Sequence, residues 1–354
     1  MPTLLVFDKL DIGPVKLDKN RLVAPYTLTI NGVSDTINFI YKFGEDVFTP
    51  DEPESLNLAS MMAAQVALNY GLFCRQIVFH GIYGEEDKNL IHAMMDNTSR
   101  EIYVKKFLEE NSFILRDKVE TPVIKLKSYT QAEIQFIDQP SETSLKWAMW
   151  SFDKKKHAVL SSGGKDSLIS FGLLNEIGIE VFPFFVNESG RHWFTALNAF
   201  QYFKTNIPNT ARVWTNSDRV FNWMVRHMPF IRKDYLSVRS DEYPIRLWTV
   251  AVFLFGVLPL LRKHRIGRII IGDEYDTTVR ANFKGIPHYD GLYDQSRYFD
   301  NALSRYFMKK GWGVNQFSLV RPLSELLIEK ILVERYPHLQ RLQTSCHATH
   351  KEDD

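Results

Sequence analysis

The chain has 354 residues, a formal charge of +1 from 43 Lys+Arg against 42 Asp+Glu, and 13% aromatic residues. Near-neutrality leaves neither the global basic field of a nucleic-acid binder nor an acidic solvating tail. Two cysteines, Cys74 and Cys346, exclude a disulfide scaffold and suit a reducing compartment.

The length suits about two domains. The start MPTLLVFDKLDIG lacks the basic segment and long apolar core of a secretion signal. In chain order, residues 26–33 and 35–41 alternate at period two around Asn31-Gly32, the pair that favours a hairpin turn. A helix is predicted over 56–70, a strand over 76–80 and a second helix over 97–111. Residues 114–137 alternate weakly, 138–143 are rich in turn formers, and a short helix is predicted over 145–151. Residues 1–150 therefore read as an α+β N-terminal domain without chemistry of its own.

From residue 151 to 354 strands and helices alternate. Strands are predicted over 157–161, 180–186 and 268–272, with a weaker one over 211–215. Helices are predicted over 168–177, 195–204, 244–261, 297–310 and 323–334. The pattern is that of an α/β, doubly wound, mainly parallel sheet. The apolar run 247–261 contains Gly256 and Pro259 and is shorter than a bilayer span requires. It reads as a buried helix, and the protein as soluble and cytoplasmic. Trp193, Trp248 and Trp312 read as core or pocket wall rather than as base-stacking surfaces, so no nucleic-acid partner is expected.

Ser162-Gly163-Gly164-Lys165-Asp166-Ser167 follows the strand at 157–161 and opens the helix at 168–177. Glycines there let backbone N–H groups close on an oxyanion, and the helix N-terminus adds partial positive charge. A Walker A loop would need glycine at Val159 and Ser or Thr at Asp166. Two further strand ends are polar, where open α/β sheets bind ligands. One carries Asn187-Glu188-Ser189, with Asn187 placed either to reach a ribose or to cap a helix. The other carries Gly272-Asp273-Glu274-Tyr275-Asp276, whose carboxylates repel unless a cation offsets them. Beyond it, Lys284, His288, Tyr289, Asp290, Tyr293, Asp294 and Arg297 make a dense polar and aromatic loop suited to a substrate pocket. Arg321 before Pro322 is placed to clamp an anion or to pair with Glu325. Cys346, His347 and His350 are too few for a tetrahedral zinc site.

The S-G-G-x-D-S pattern at 162–167 resembles the PP-loop of the ATP pyrophosphatase superfamily, whose members cleave ATP to AMP and pyrophosphate. The resemblance implies ATP with Mg²⁺, bound by Ser162, Gly163, Gly164, Lys165, Asp166, Ser167 and Asn187. It gives Lys165, Asp166, Glu274 and Asp276 catalytic roles. Ser318-Leu319-Val320-Arg321-Pro322-Leu323-Ser324-Glu325-Leu326 and Thr344-Ser345-Cys346 resemble the C-terminal part of the MurL-type epimerases, which act on UDP-N-acetylmuramoyl-L-alanyl-L-glutamate. Asp276 with Tyr293-Asp294 and Arg297 is similar to a segment of 7-cyano-7-deazaguanine synthase. Cys346 matches the first zinc cysteine of both families, but the rest of their cysteine cluster has no counterpart after it. Either the zinc site is incomplete or the second domain is truncated there.

The resemblance implies a small-molecule carboxylate substrate, touched by Tyr293, Asp294, Arg297 and Arg321. That carboxylate attacks the α-phosphate to give an acyl-adenylate. Adenylation removes one charge from the carboxylate, which makes the neighbouring proton removable by a modest base such as Glu274, Asp276 or His288. Two alternatives are a deazaguanine-synthase-like modification of a nucleobase carboxylate and a nucleotide-binding subunit without turnover.

Overall fold

The computed structural model describes residues 4–119, 121–137, 148–188, 193–238, 243–247 and 250–344. Its first half contains β1 (Phe7–Ile12), β2 (Lys16–Asp18), β3 (Arg21–Ile30), β4 (Val33–Phe43), α1 (Pro53–Ala64), β5 (Cys74–His80), α2 (Glu85–Ile102) and β6 (Glu133–Ile137). The second half begins with β7 (Asp153–Ser161), α3 (Lys165–Glu176), β8 (Glu180–Glu188), α4 (Trp193–Asn206), β9 (Ala211–Thr215) and α5 (Ser217–Arg226). It continues with α6 (Val250–His264), β10 (Ile266–Ile270), β11 (Ala281–Phe283), β12 (Ile286–His288), α7 (Arg297–Lys309), β13 (Asn315–Phe317), α8 (Glu325–Arg335) and α9 (Pro337–Gln340).

The second-half strands lie side by side as β9-β8-β7-β10-β13, every pair parallel. Numbered by appearance this is the order 3-2-1-4-5 of a doubly wound sheet, as the sequence predicts, with the order reversing between β7 and β10. Helices cover both faces because β8 is apolar on both. Phe185 packs with α3, α4, α8 and α9, while Phe182 and Phe184 face the core that contains α6 and α7.

The sheet does not stop at β9. Tyr41, Lys42 and Phe43 of β4 pair antiparallel with Thr215, Trp214 and Val213. The order then runs β4-β3-β1-β5-β6, so strands from both halves form one sheet. Asn216 continues the seam with its side chain, donating to the Asn38 carbonyl and accepting from the Ile40 N–H, each at 2.8 Å. At the other end of β4, Asn31 (φ 50°) and Gly32 (φ 77°) make the predicted hairpin turn.

Two buried contacts bind the halves further. On α6, a Cβ at Gly256 would lie 2.8 Å from a ring atom of Tyr41, whose hydroxyl donates to the Val252 carbonyl at 2.8 Å. Just after α7, the Lys310 ammonium donates to Asn57 on α1 at 2.9 Å and to Asp87 on α2 at 3.0 Å. Its side chain is 2% exposed and that of Asp87 0%. Asp87 also accepts from Tyr306, Asn57 and the Gly84 N–H at 2.6, 2.7 and 2.7 Å. No helix among the described residues is long and apolar enough to cross a membrane.

Four elements differ from the sequence expectation, one being the helix expected at 244–261, where 244–247 are not helical and α6 is Val250–His264. The helix expected at 97–111 begins at Glu85 and passes at Ile102 into a π-helical turn, Tyr103–Leu108. Its start is set by Gly84 and by the acids Glu85, Glu86 and Asp87 at the helix N-terminus. Within 114–137, only Glu133–Ile137 is a strand among the described residues. Residues 148–151 are not helical, while 138–147, including the expected boundary, lie outside the described residues.

Candidate functional site

Where the strand order reverses, the chain leaves β7 through Ser162, Gly163 and Gly164 and enters α3. Gly163 has φ +78°, and a Cβ there would lie 3.0 Å from the Thr195 carbonyl oxygen and 3.2 Å from Ala196 Cα. Both constraints require glycine. Gly164 is the extended residue before α3, and no side chain caps that helix. Its carbonyl accepts from the Leu168 N–H at 3.2 Å and from the Ser167 hydroxyl at 3.0 Å. The Ser161 hydroxyl in turn donates to Ser167 Oγ at 3.2 Å. The first turn of α3 thus opens beside the glycine loop with its positive end uncapped by any side chain. Ser162 is exposed at the rim.

The neighbouring strand end closes the crevice. A Cβ at Gly272, just beyond β10, would lie 2.5 Å from Asp166 Cβ, so glycine lets the two loops meet. Lys165 Nζ then lies 3.3 Å from Asp166, 3.2 Å from Glu274 and 3.5 Å from Glu325 at the start of α8. Burial draws the Lys165 ammonium down, but Asp166, Glu274 and Glu325 together hold it above its ordinary value. Burial, partly offset by Lys165 and reinforced by Glu274, pushes the Asp166 carboxyl up to about 6. Asp166 Oδ1 is buried and makes no hydrogen bond, whereas the buried Glu274 Oε2 is the atom paired with Lys165. The crevice therefore holds one ammonium, three carboxylates and one orphaned carboxylate oxygen.

Asp166→Asn tests this electrostatic account. Deprotonation is less favourable in the folded chain than in the unfolded one, so the native charge costs stability as pH rises from about 4 to 6. Above that window the cost is complete. At pH 8 the asparagine variant should be more stable by about 1–3 kcal/mol in urea unfolding, with the gain shrinking toward pH 4.

The three acids after β10 enter three environments. Glu274 faces Lys165, whereas Asp276 is exposed in a short 3₁₀ turn, Tyr275–Thr278. Asp273 is buried and paired at 3.2 Å with Arg321. Arg321 does not pair with Glu325. Its guanidinium donates to Asp300 at 2.6 Å, to Thr277 at 2.7 Å and to the Gln295 carbonyl at 2.8 Å as well as to Asp273. Arg321 is thus the cation of a buried acid cluster that ties the end of β10 to α7. Burial raises both carboxyls of that cluster, Asp273 well above its ordinary range, with Arg321 opposing in each case.

Tyr293 and Asp294 are buried as well, and Asp294 accepts from the Val250 N–H at the start of α6 at 2.9 Å. Arg297 is exposed. Asn187 sits two residues past the Ser161–Phe185 register pair, at the β8 end beside the glycine loop. The next residue, Glu188, is buried against Arg246 at 3.0 Å and Ser217 at 2.6 Å. His288 is buried, and its Nδ1 accepts from the Asp290 N–H at 3.1 Å. Sequence reasoning missed the Lys165–Glu325 pair and the Arg321 partners Asp273 and Asp300. The acid at the start of α8 was the available signal for the first.

Among the described residues no group of three or more His, Cys, Asp or Glu is arranged to hold a metal ion. Cys346 lies outside the described residues, although Thr344 returns to the loop, donating to the Gly163 carbonyl at 3.4 Å. Cys74 is a core residue of β5, its thiol pushed up by burial. A zinc site therefore finds no support in the described residues. The orphaned Oδ1 of Asp166 does fit a hard cation that prefers oxygen. A cavity of about 650 Å³ lined by Phe107, Leu108, Arg116, Lys118, Phe283 and Lys284, among others, includes neither Lys165 nor Glu274.

No protein-family model and no curated protein matches the chain. Among solved structures, it is similar to the U34-tRNA thiolase NcsA of Methanococcus maripaludis, described with its 4Fe-4S cluster. The identity is 15% and the TM-score 0.34, over 55% of this chain and 60% of that one. A predicted subunit of tRNA methyltransferase from Methanocaldococcus jannaschii shares 13% identity at a TM-score of 0.32, over 51% of this chain and 74% of that one. The chain thus spans less than two thirds of the thiolase. Likenesses at this level carry no activity over, and the likeness to the MurL-type epimerases stands on the quoted residues alone.

Proposed function

We propose that the chain is an ATP-dependent, AMP-forming enzyme that adenylates a substrate carboxylate. The observation that carries this reading is the crevice between β7 and β10. There a glycine-bearing loop and an uncapped helix N-terminus face one lysine paired with Glu274 and one buried Asp166 oxygen without a hydrogen bond. The arrangement suits a polyphosphate accompanied by a divalent cation, and it is costly without one.

In this reading the N–H groups of the loop and Lys165 hold the β- and γ-phosphates, and Ser162 adds a hydroxyl at the rim. Asp166, whose Oδ1 has no partner, would hold Mg²⁺, which neutralises phosphate charge when bound. Asn187 lies at the β8 end, on the side where a nucleoside would extend. A substrate carboxylate oxygen attacks the α-phosphorus. The bond from that phosphorus to the α–β bridging oxygen breaks, and pyrophosphate leaves with the electron pair. The protein contributes positioning and charge neutralisation.

The finer reading is a MurL-like epimerisation of a terminal glutamate or a related acid. Of the three bases considered, Glu274 faces the crevice, Asp276 faces solvent, and His288 is buried with Nδ1 already accepting. Glu274 is therefore the base this reading favours. Substrates labelled with ¹⁸O in the carboxylate test the proposal. Muramoyl dipeptide, glutamate-terminated peptides and ring carboxylates are incubated with ATP in heavy water. One ¹⁸O in AMP is expected, and deuterium at the α-carbon marks epimerisation. AMP without label, or ADP with phosphate, would contradict adenylation.

A further inference from the structure

The segments that follow β10 gather a second set of groups beside the crevice. Tyr289, Tyr293 and Tyr298 pack ring to ring, with centroids 5.6, 5.9 and 6.1 Å apart. Two guanidinium groups lie against Tyr289, Arg280 at 5.4 Å and Arg100 at 5.9 Å from the ring centroid. The scaffold beneath is hydrogen-bonded to α2. Glu101, buried on α2, accepts from the N–H groups of Tyr289 and Gly291 at 2.9–3.0 Å. These bonds fix a turn in which Asp290 and Gly291 have positive φ. Tyr293 is the buried floor, Tyr289 is half-buried, and Tyr298 is 42% exposed.

The charges on this face are unevenly matched. Lys105 is neutralised by Glu109 and Asp290. Arg280 and Arg297 are exposed and form no ion pair among the described residues. Arg297 precedes Tyr298 in the first turn of α7, whose N-terminus adds partial positive charge. The face also lies close to the crevice. Arg321 donates to both Thr277 and the Gln295 carbonyl, so the turn carrying Tyr293 sits one side chain away from the segment carrying Glu274. A cluster serving packing alone would bury its rings and neutralise its cations. Here the exposed Tyr298 follows Arg297 at the start of α7, and Arg280 lies over the ring of Tyr289, both arginines without an ion pair among the described residues.

We propose that this face, with Arg280, Tyr289, Arg297 and Tyr298, holds the acid that is to be adenylated. This rests on the adenylation reading and names, in place of an epimerised glutamate, a different substrate class: a planar ring carrying an acid group that the reaction does not consume. The ring stacks on the exposed Tyr298, beside the Arg280 guanidinium that lies over Tyr289. The spare acid group takes Arg280 and Arg297, while the reacting carboxylate points toward the loop.

Binding of isophthalate, benzoate and glutarate, followed by ligand-observed NMR with and without MgATP, tests this. Isophthalate should bind the wild-type protein more tightly than benzoate, which lacks the second acid, and than glutarate, which lacks the ring. Arg280→Ala with Arg297→Ala should weaken isophthalate roughly tenfold or more. Tyr298→Ala should weaken it roughly fivefold or more, and Tyr298→Phe should restore it. MgATP affinity should stay unchanged in all these variants. Equal binding of isophthalate and glutarate, no isophthalate binding at millimolar concentration, or variants indistinguishable from wild type would overturn the proposal. Loss of MgATP binding by the wild-type protein would instead overturn the adenylation reading, so the two failures are separable.

Discussion

Replacing Lys165 with alanine will lower MgATP affinity by at least about 30-fold, the effect of deleting one partner from a charge pair held out of water. The size follows from what Lys165 faces. It is the ammonium between Asp166, Glu274 and Glu325 and, in the proposed reading, the group that meets the phosphates beside the glycine loop. Without it, bound nucleotide would confront three carboxylates. The same deletion drives the Asp166 carboxyl above about 6, because Lys165 is the group opposing its rise. Lys165→Arg keeps the charge but replaces a point charge by a planar fork, so it should recover part of the affinity. Calorimetric titration of MgATP at pH 7.5 measures both variants. Equal affinity for wild type and Lys165→Ala would mean that the nucleotide binds elsewhere.

The second large effect concerns the join between the halves. Lys310→Met should destabilise the fold by about 3–5 kcal/mol, because it strands the Asp87 carboxylate in the core. The value should fall toward the lower end, since Tyr306, Asn57 and the Gly84 N–H still donate to Asp87. Pairing the change with Asp87→Leu removes both charges and should recover much of the loss. Urea unfolding of the single and double variants gives the coupling directly. A double variant no better than the single one would show that the network acts through geometry rather than charge.

Much of the second half was legible because local signals coincided. The apolar run before Ser162, the two glycines and the apolar period after Lys165 each mark the same strand, turn and helix, and β9 falls on its predicted residues. Weak or mixed patterns were not legible. In β1, Lys9 and Leu10 interrupt the alternation of apolar residues, though Phe7, Leu10 and Ile12 are buried. In β13, three residues long, Gln316 is the buried position, and it is polar.

The site divides in the same way. Asp273, Glu274 and Asp276 look alike in sequence, but their places on the turn after β10 send one to Arg321, one to Lys165 and one to solvent. The role of Arg321 depends on β10 and α7 meeting in space, which no local spacing expresses. Its partners Asp273 and Asp300 lie 48 and 21 residues away. The single sheet joining both halves likewise depends on β4 meeting β9, and neither strand announces its neighbour.

In the proposed reading, ATP is cleaved between its α- and β-phosphates in the crevice made by Gly163, Lys165, Asp166 and Glu274. The most direct measurement is chromatographic identification of the nucleotide formed from ATP by the wild-type protein and by Lys165→Ala, with the carboxylate panel present. AMP and pyrophosphate in equal amounts from wild type, and neither from the variant, is the predicted result. ADP with phosphate, or AMP formed equally well by both proteins, would contradict it.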